Sequence, residues 1–149
     1  MVKDVFYYYK DFVDVSSPSA FQCTIRHICT ESQLYTTYAQ QFKFPYFGYN
    51  WDALIDCLCE LDGWIQNRQI VIIHQEMPRL EEVELRIYIR VLNIVYDFWQ
   101  QYPDVLQMKM YFPECYKEQI GKILQDINSR LVMEQSLIES PKAPDGIKR

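Results

Sequence analysis

The sequence has no apolar stretch long enough to cross a membrane. Its longest purely aliphatic run is Ile70 to Ile73, against the roughly 20 residues that a spanning helix needs. It has no C-x-x-C pair. The five cysteines (Cys23, Cys29, Cys57, Cys59 and Cys115) are odd in number, and only His27 and His74 could complete a zinc set. No metal site is therefore expected, and the thiols read as small, buried apolar residues kept reduced in a cytosol. Neither a Gly-rich phosphate cradle nor a G-x-S-x-G nucleophile turn is present, and no cofactor is expected. Positive charge is not in excess: the 149 residues carry a net −5, where a general nucleic-acid binder would show a basic patch. Met1-Val2-Lys3-Asp4-Val5 puts an acid where a signal peptide has its apolar stretch, which argues against export. The expectation is a soluble, acidic, cytoplasmic single domain with no direct hold on nucleic acid or membrane.

What is present is ordinary globular composition, 49% hydrophobic and 23% charged. A chain of this length buries roughly 68–70% of its unfolded surface without staples. Aromatic residues crowd the start (Phe6, Tyr7, Tyr8, Tyr9, Phe12), and Ser16-Ser17-Pro18-Ser19 closes that segment as a loop. Phe21 to Ile28 reads as a strand. Thr30 or Ser32 caps a helix to about Phe42, with Leu34, Tyr38 and Phe42 on one face. Asn50 caps a second helix from Trp51 to about Leu61, which Gly63 ends.

Ile70-Val71-Ile72-Ile73-His74 suits a strand covered on both faces. Pro78 starts a long helix from about Leu80 to Gln101 with two apolar faces: Leu80, Val83, Ile87, Val91, Ile94 and Phe98 on one, Tyr88, Leu92, Val95 and Trp99 on the other. Leu106, Met108, Met110 and Phe112 alternate with polar residues in a third strand. A last helix runs from about Glu114 to Met133, and the end, with Ser140-Pro141 and Pro144-Asp145-Gly146, reads as a mobile tail. Strands alternating with helices predict an α/β fold around a small parallel sheet with right-handed crossovers.

The charge is concentrated. Residues 44–67 hold Asp52, Asp56, Glu60 and Asp62 and no lysine or arginine. At about 100° per residue, Asp52, Asp56 and Glu60 fall within an arc of about 80° on one helix face, while Ala53, Leu54, Cys57, Leu58 and Leu61 cover the other. Like charges at i and i+4 repel by about 0.2–0.5 kcal/mol per pair. Asp52 gains from the helix N-terminus, but Asp56 and Glu60 do not. A solvated face kept for solubility is one reading. Ile55 and Cys59, with Tyr46, Phe47 and Tyr49 in the loop before, rim this face and describe a protein-binding surface better.

Catalysis is the weaker reading. His27 and Cys29, two apart, would share one face of a strand, and His74 sits at a strand end. No orienting third group is evident, so no catalytic residue is assigned.

The ordered run Phe44-Pro45-Tyr46-Phe47-Gly48-Tyr49-Asn50-Trp51-Asp52-Ala53-Leu54-Ile55-Asp56-Cys57-Leu58 closely resembles the barstar family, intracellular inhibitors of barnase-like ribonucleases. The resemblance covers residues 21–112. It implies a small three-stranded parallel sheet packed by helices, with residues 1–20 as an N-terminal extension, 113–133 as an added C-terminal helix and 134–149 as the tail. It further implies that the second helix and the loop before it plug a ribonuclease active site. Asp56 would be the principal anion, Asp52 would meet basic residues nearby, and Tyr46 would pack over the cleft. Val91-Leu92-Asn93-Ile94-Val95-Tyr96-Asp97 aligns with the family's corresponding helix and puts Asp97 at a further acidic contact. Phe47, Tyr49, Ile55, Cys59 and Glu60 complete the candidate partner-binding set.

The chain departs from the family at Ile55, where barstar itself has a tryptophan, in a shorter loop between Pro45 and Gly48, and in the added acid Glu60. These changes point to a cognate nuclease other than barnase. The implied role is that of a bacterial immunity protein or antitoxin, not an enzyme, binding its ribonuclease toxin one to one. The alternative is an interaction module that keeps the scaffold and recognises a non-nuclease partner.

Overall fold

The computed structural model describes residues 5–15 and 19–137, with side chains to residue 129. The loop expected at Ser16-Ser17-Pro18 and the tail beyond Leu137 lie outside the described residues. Four parallel strands form one sheet: β1 (Tyr7–Tyr9), β2 (Phe21–Ile25), β3 (Gln69–His74) and β4 (Gln107–Pro113), in the order β1-β4-β3-β2. Four helices accompany them: α1 (Glu31–Phe42), α2 (Trp51–Leu58), α3 (Glu82–Gln100) and α4 (Lys117–Leu137). The three strands read from the sequence form the body of the sheet, and the aromatic N-terminal segment adds β1 alongside β4, with Tyr7 opposite Tyr111.

The central strand is apolar on both sides. Ile70 and Ile72 are fully buried under the helices, while Val71 and Ile73 are buried on the opposite face. There Asp14, Val15 and Ala20 close over Gln69, Val71, Lys109 and Tyr111 around a cavity of about 50 Å³. β4 alternates as its sequence requires, with Met108, Met110 and Phe112 buried and Gln107 and Lys109 exposed. Phe21 to Ile28 is extended only to Ile25. His27 takes a left-handed φ of 55°, and its ring lies 3.3 Å from Glu76. The strand pairing expected of His27 and Cys29 is therefore absent. Cys23 and Cys57 are buried as expected, but Cys29 and Cys115 are exposed.

The helix starts follow from capping chemistry. The Thr30 hydroxyl accepts from the Gln33 amide at 3.1 Å, and Asn50 accepts from the Ala53 amide at 2.8 Å. α3 starts later than Pro78 suggests, because Glu81 and Glu84 form a reciprocal capping box around its first turn. Two indoles satisfy carbonyls that helix ends leave without partners: Trp64 donates to Phe42 at the end of α1, 3.1 Å, and Trp99 donates to Leu58 at the end of α2, 2.9 Å. On α1, the Gln41 amide donates to the Thr24 carbonyl of β2 at 2.5 Å and accepts from the Thr24 N–H at 2.7 Å.

α3 packs against α2, α4 and β4. Of the two apolar faces expected on it, the one through Tyr88, Leu92, Val95 and Trp99 is buried. Its neighbours there are Leu85 and Ile89, which the sequence reading left out. The other face is divided. Val91 and Phe98 are buried, but Val83 is 69% and Ile94 38% exposed.

At the centre His74 is fully buried and stacked on Phe112, with ring centroids 3.8 Å apart. Its Nδ1 lies 2.9 Å from the Tyr111 carbonyl, which can only accept, so Nδ1 carries the proton. Nε2 then accepts from the Tyr88 hydroxyl at 2.6 Å, and the Tyr88 oxygen accepts from Tyr38 at 2.6 Å. Burial holds this imidazole neutral and pushes its pKa down to about 3. His74 is thus a satisfied core residue, not a strand-end catalyst. Among the described residues no helix is long and apolar enough to cross a membrane.

Candidate partner-binding face

The loop between α1 and α2 is fixed by rings. α1 ends at Lys43 in the left-handed conformation, φ 53°, whose N–H returns to Ala39. Phe44 then stacks on Phe42 at 5.9 Å and meets Trp64 at 6.0 Å. Phe47 packs edge-on against Tyr35 at 6.0 Å and against Tyr49 at 4.7 Å. Tyr49 has a φ of 51°, an uncommon region for a bulky side chain and one that costs of order 1–3 kcal/mol where it is held. Gly48 needs no unusual φ. A Cβ there would lie 3.3 Å from the Asn50 amide nitrogen and 3.4 Å from the Ala53 methyl, so glycine lets the chain pass close over the cap of α2.

α2 is short, and its amphipathic pattern divides it cleanly. Leu54, Cys57 and Leu58 are buried, while Asp52 and Asp56 are exposed on the other side. The helix ends at Leu58 rather than near Leu61, with Cys59 as its C-cap. Glu60 therefore reaches the acidic row from a turn, just before the short 3-10 segment Leu61–Gly63. It remains close: burial, then the charge of Glu60, then that of Asp52 raise the Asp56 carboxyl above its usual range. No salt bridge among the described residues reaches Asp52, Asp56 or Glu60.

The tyrosines stand beside this row. Tyr46 is 65% and Tyr49 55% exposed. The Tyr46 hydroxyl donates to Glu60 Oε2 at 2.9 Å, and that bond, with the Glu60 charge, raises the phenol pKa. The carbonyl of Tyr46 accepts from the Cys57 thiol at 3.4 Å. Burial pushes that thiol up to about 11, which keeps it protonated and inert. Phe47, Ile55 and Cys59 are half-buried and packed against the core, so the outward aromatic surface belongs to Tyr46 and Tyr49. Asp97 is exposed in the last turns of α3, the helix that packs on α2.

Tyr35 and Cys57 support the face and were not singled out as site residues. Tyr35 touches both Phe47 and Trp51, and its i−4 acceptor Glu31, at 3.0 Å, is the one local sign of a fixed ring. The contact of Tyr46 with Glu60, fourteen positions apart, has no sequence signal.

Fold and face define a class: a small parallel α/β protein that presents carboxylates and tyrosines from a capped helix and the loop before it. The family model described as Barstar (barnase inhibitor) matches residues 19–111, more than half of the chain. The chain belongs to the barstar family. No curated protein and no solved structure shows a match to it. At family level the role is that of an inhibitor of barnase-type ribonucleases rather than an enzyme.

Proposed function

We propose that this chain is the cytoplasmic immunity protein, or antitoxin, of one ribonuclease toxin. It would bind that toxin one to one and block RNA access by placing the acidic face of α2 in the cationic active site. The observation that carries the reading is the row Asp52, Asp56 and Glu60, held together without a cation among the described residues, with proton affinity raised at its middle member. A family of ribonuclease inhibitors supplies the partner chemistry. A cleft built for polyanionic RNA carries arginine, lysine or protonated histidine, and fixed carboxylates satisfy those groups and exclude the substrate. In the free protein the three acids repel one another, and a cationic partner relieves that repulsion, so electrostatic energy favours the complex. The opposite fields also speed encounter.

In this reading Asp56 takes the place of an RNA phosphate, Asp52 and Glu60 meet flanking cations, and Tyr46 covers the cleft. Phe47, Tyr49, Ile55 and Cys59 shape the surface, and Asp97 adds an acid from α3. Residues 1–20 and the last helix are additions to the family core.

The test is inhibition of RNA hydrolysis by a panel of purified barnase-type ribonucleases, with wild type and Asp56→Lys. Inhibition of at least one enzyme by the wild type, weakened by added RNA and by salt and lost in Asp56→Lys, is the expected outcome. Equal inhibition by both proteins, or none of any enzyme, would refute the reading.

A further inference from the structure

We propose that Glu60 is a positioning residue: it fixes Tyr46 so that the tyrosine, Asp52 and Asp56 meet the partner as one rigid surface. The inference rests on the inhibitor reading above and assigns Glu60 a role distinct from that of a third anion.

Tyr46 is largely exposed, and an exposed aromatic side chain on a loop ordinarily samples several rotamers on the picosecond to nanosecond scale. Here it is tied at two points, to the last turn of α2 and to the turn that follows it. Its hydroxyl donates to Glu60 at 2.9 Å, and its carbonyl accepts from Cys57 at 3.4 Å. The next residue, Phe47, is wedged against Phe44 and Tyr35. Tyr46 itself is 65% exposed, and the bond to Glu60 supplies the constraint that burial does not.

Ordering a rotamer-rich side chain on association costs binding energy, and ordering it beforehand removes that cost. The phenol O–H is committed to Glu60, which leaves the ring face and an oxygen lone pair for the partner. That arrangement suits a guanidinium or imidazole stacked on the ring while Asp56 accepts its N–H groups. Glu60 contributes to long-range attraction and to local order by separate routes.

The two routes are separable by experiment. Wild type, Tyr46→Phe, Glu60→Ala and their double variant are compared as full chains, first without partner, with Glu60→Gln as the variant that drops the charge and keeps the acceptor. Backbone relaxation over residues 44–50 and titration of the Tyr46 phenol are expected to show a looser loop and a lowered phenol pKa in Glu60→Ala. An unchanged loop and phenol would overturn the proposal.

The second measurement is association and dissociation with the ribonuclease that the wild type inhibits most strongly. Tyr46→Phe and Glu60→Ala are each expected to dissociate roughly tenfold faster, and the double variant no faster than either. Additive losses in the dissociation rate would mean that Glu60 touches the enzyme directly, and would overturn the proposal. A slower association rate in Glu60→Gln alone reports its lost charge. If the wild type inhibits no ribonuclease, the inhibitor reading fails, and the partner-free measurements alone decide whether Glu60 fixes Tyr46.

Discussion

Replacing Asp56 by asparagine should stabilise the free protein and at the same time disable it. Asp56 has an acid four residues to either side, Asp52 and Glu60, and both raise its pKa after the larger effect of burial. The Asp52–Asp56 pair, at helical i, i+4 spacing, costs about 0.2–0.5 kcal/mol; Glu60, from the turn past Leu58, raises the Asp56 pKa more than Asp52 does, so removing the middle charge should return about 0.4–1 kcal/mol. For a chain of this length that is a rise in Tm of about 1–4 °C.

The pH dependence has a definite sign. A raised carboxyl pKa means that the folded protein holds the proton more tightly than the unfolded chain. Wild-type stability therefore gains, relative to the asparagine variant, as pH falls through the folded-state pKa of Asp56, and the advantage of Asp56→Asn shrinks on acidification. Salt should shrink it as well, since the row is exposed. Binding moves the other way. Removing one member of a desolvated charge pair costs about 2–5 kcal/mol, or roughly 30- to several-thousand-fold in Kd. Urea unfolding followed by tryptophan fluorescence, at neutral and acidic pH and at two salt concentrations, gives the first result, and titration against the inhibited ribonuclease gives the second. A variant less stable than wild type at neutral pH, or an advantage that widens on acidification, would refute the electrostatic reasoning.

Two further predictions concern the frame that holds the site. His74 stays neutral in the fold with a pKa near 3, against 6.5 for a free imidazole, so below the free value the unfolded chain takes up a proton that the folded one refuses. The wild type should lose about 2 kcal/mol from this group between about pH 7.5 and about pH 5; His74→Gln should lack that part of the slope in urea titrations, and an identical slope would remove His74 as its source. Trp99→Phe deletes the donor to the Leu58 carbonyl and should cost about 1–3 kcal/mol in the same assay, with faster amide exchange at the end of α2. Protection unchanged at that end would show that another group caps the helix.

Much of the frame is legible locally. Asn50 and Thr30 announce their helices because their side chains do the capping themselves, and Ile70 to Ile73 declares a strand buried on both faces. The acidic row is legible too, since a helix of any length from Asn50 would align Asp52 with Asp56. The misreadings are non-local. Nothing in Tyr7-Tyr8-Tyr9 alternates, and β1 exists because β4, about a hundred residues later, offers it a parallel edge. Val83 and Ile94 fit an apolar period, yet both are exposed, because periodicity alone does not say which stretches of a face find a neighbour. Glu60 was placed by extending α2 past its actual end at Leu58, and only the folded turn shows that it reaches Tyr46.

The pair of bonds between Gln41 and Thr24 has a consequence for how this protein behaves in company. A sheet invites further strands along its outer rims, where unpaired N–H and C=O groups form a template for another chain. On the β2 rim the side-chain amide of Gln41 imitates an incoming peptide group, giving Thr24 a donor and an acceptor at once. The β1 rim is only three residues long. Strand addition thus meets an occupied peptide at Thr24 on one rim and a strand of three residues on the other, and both features work against edge-to-edge pairing.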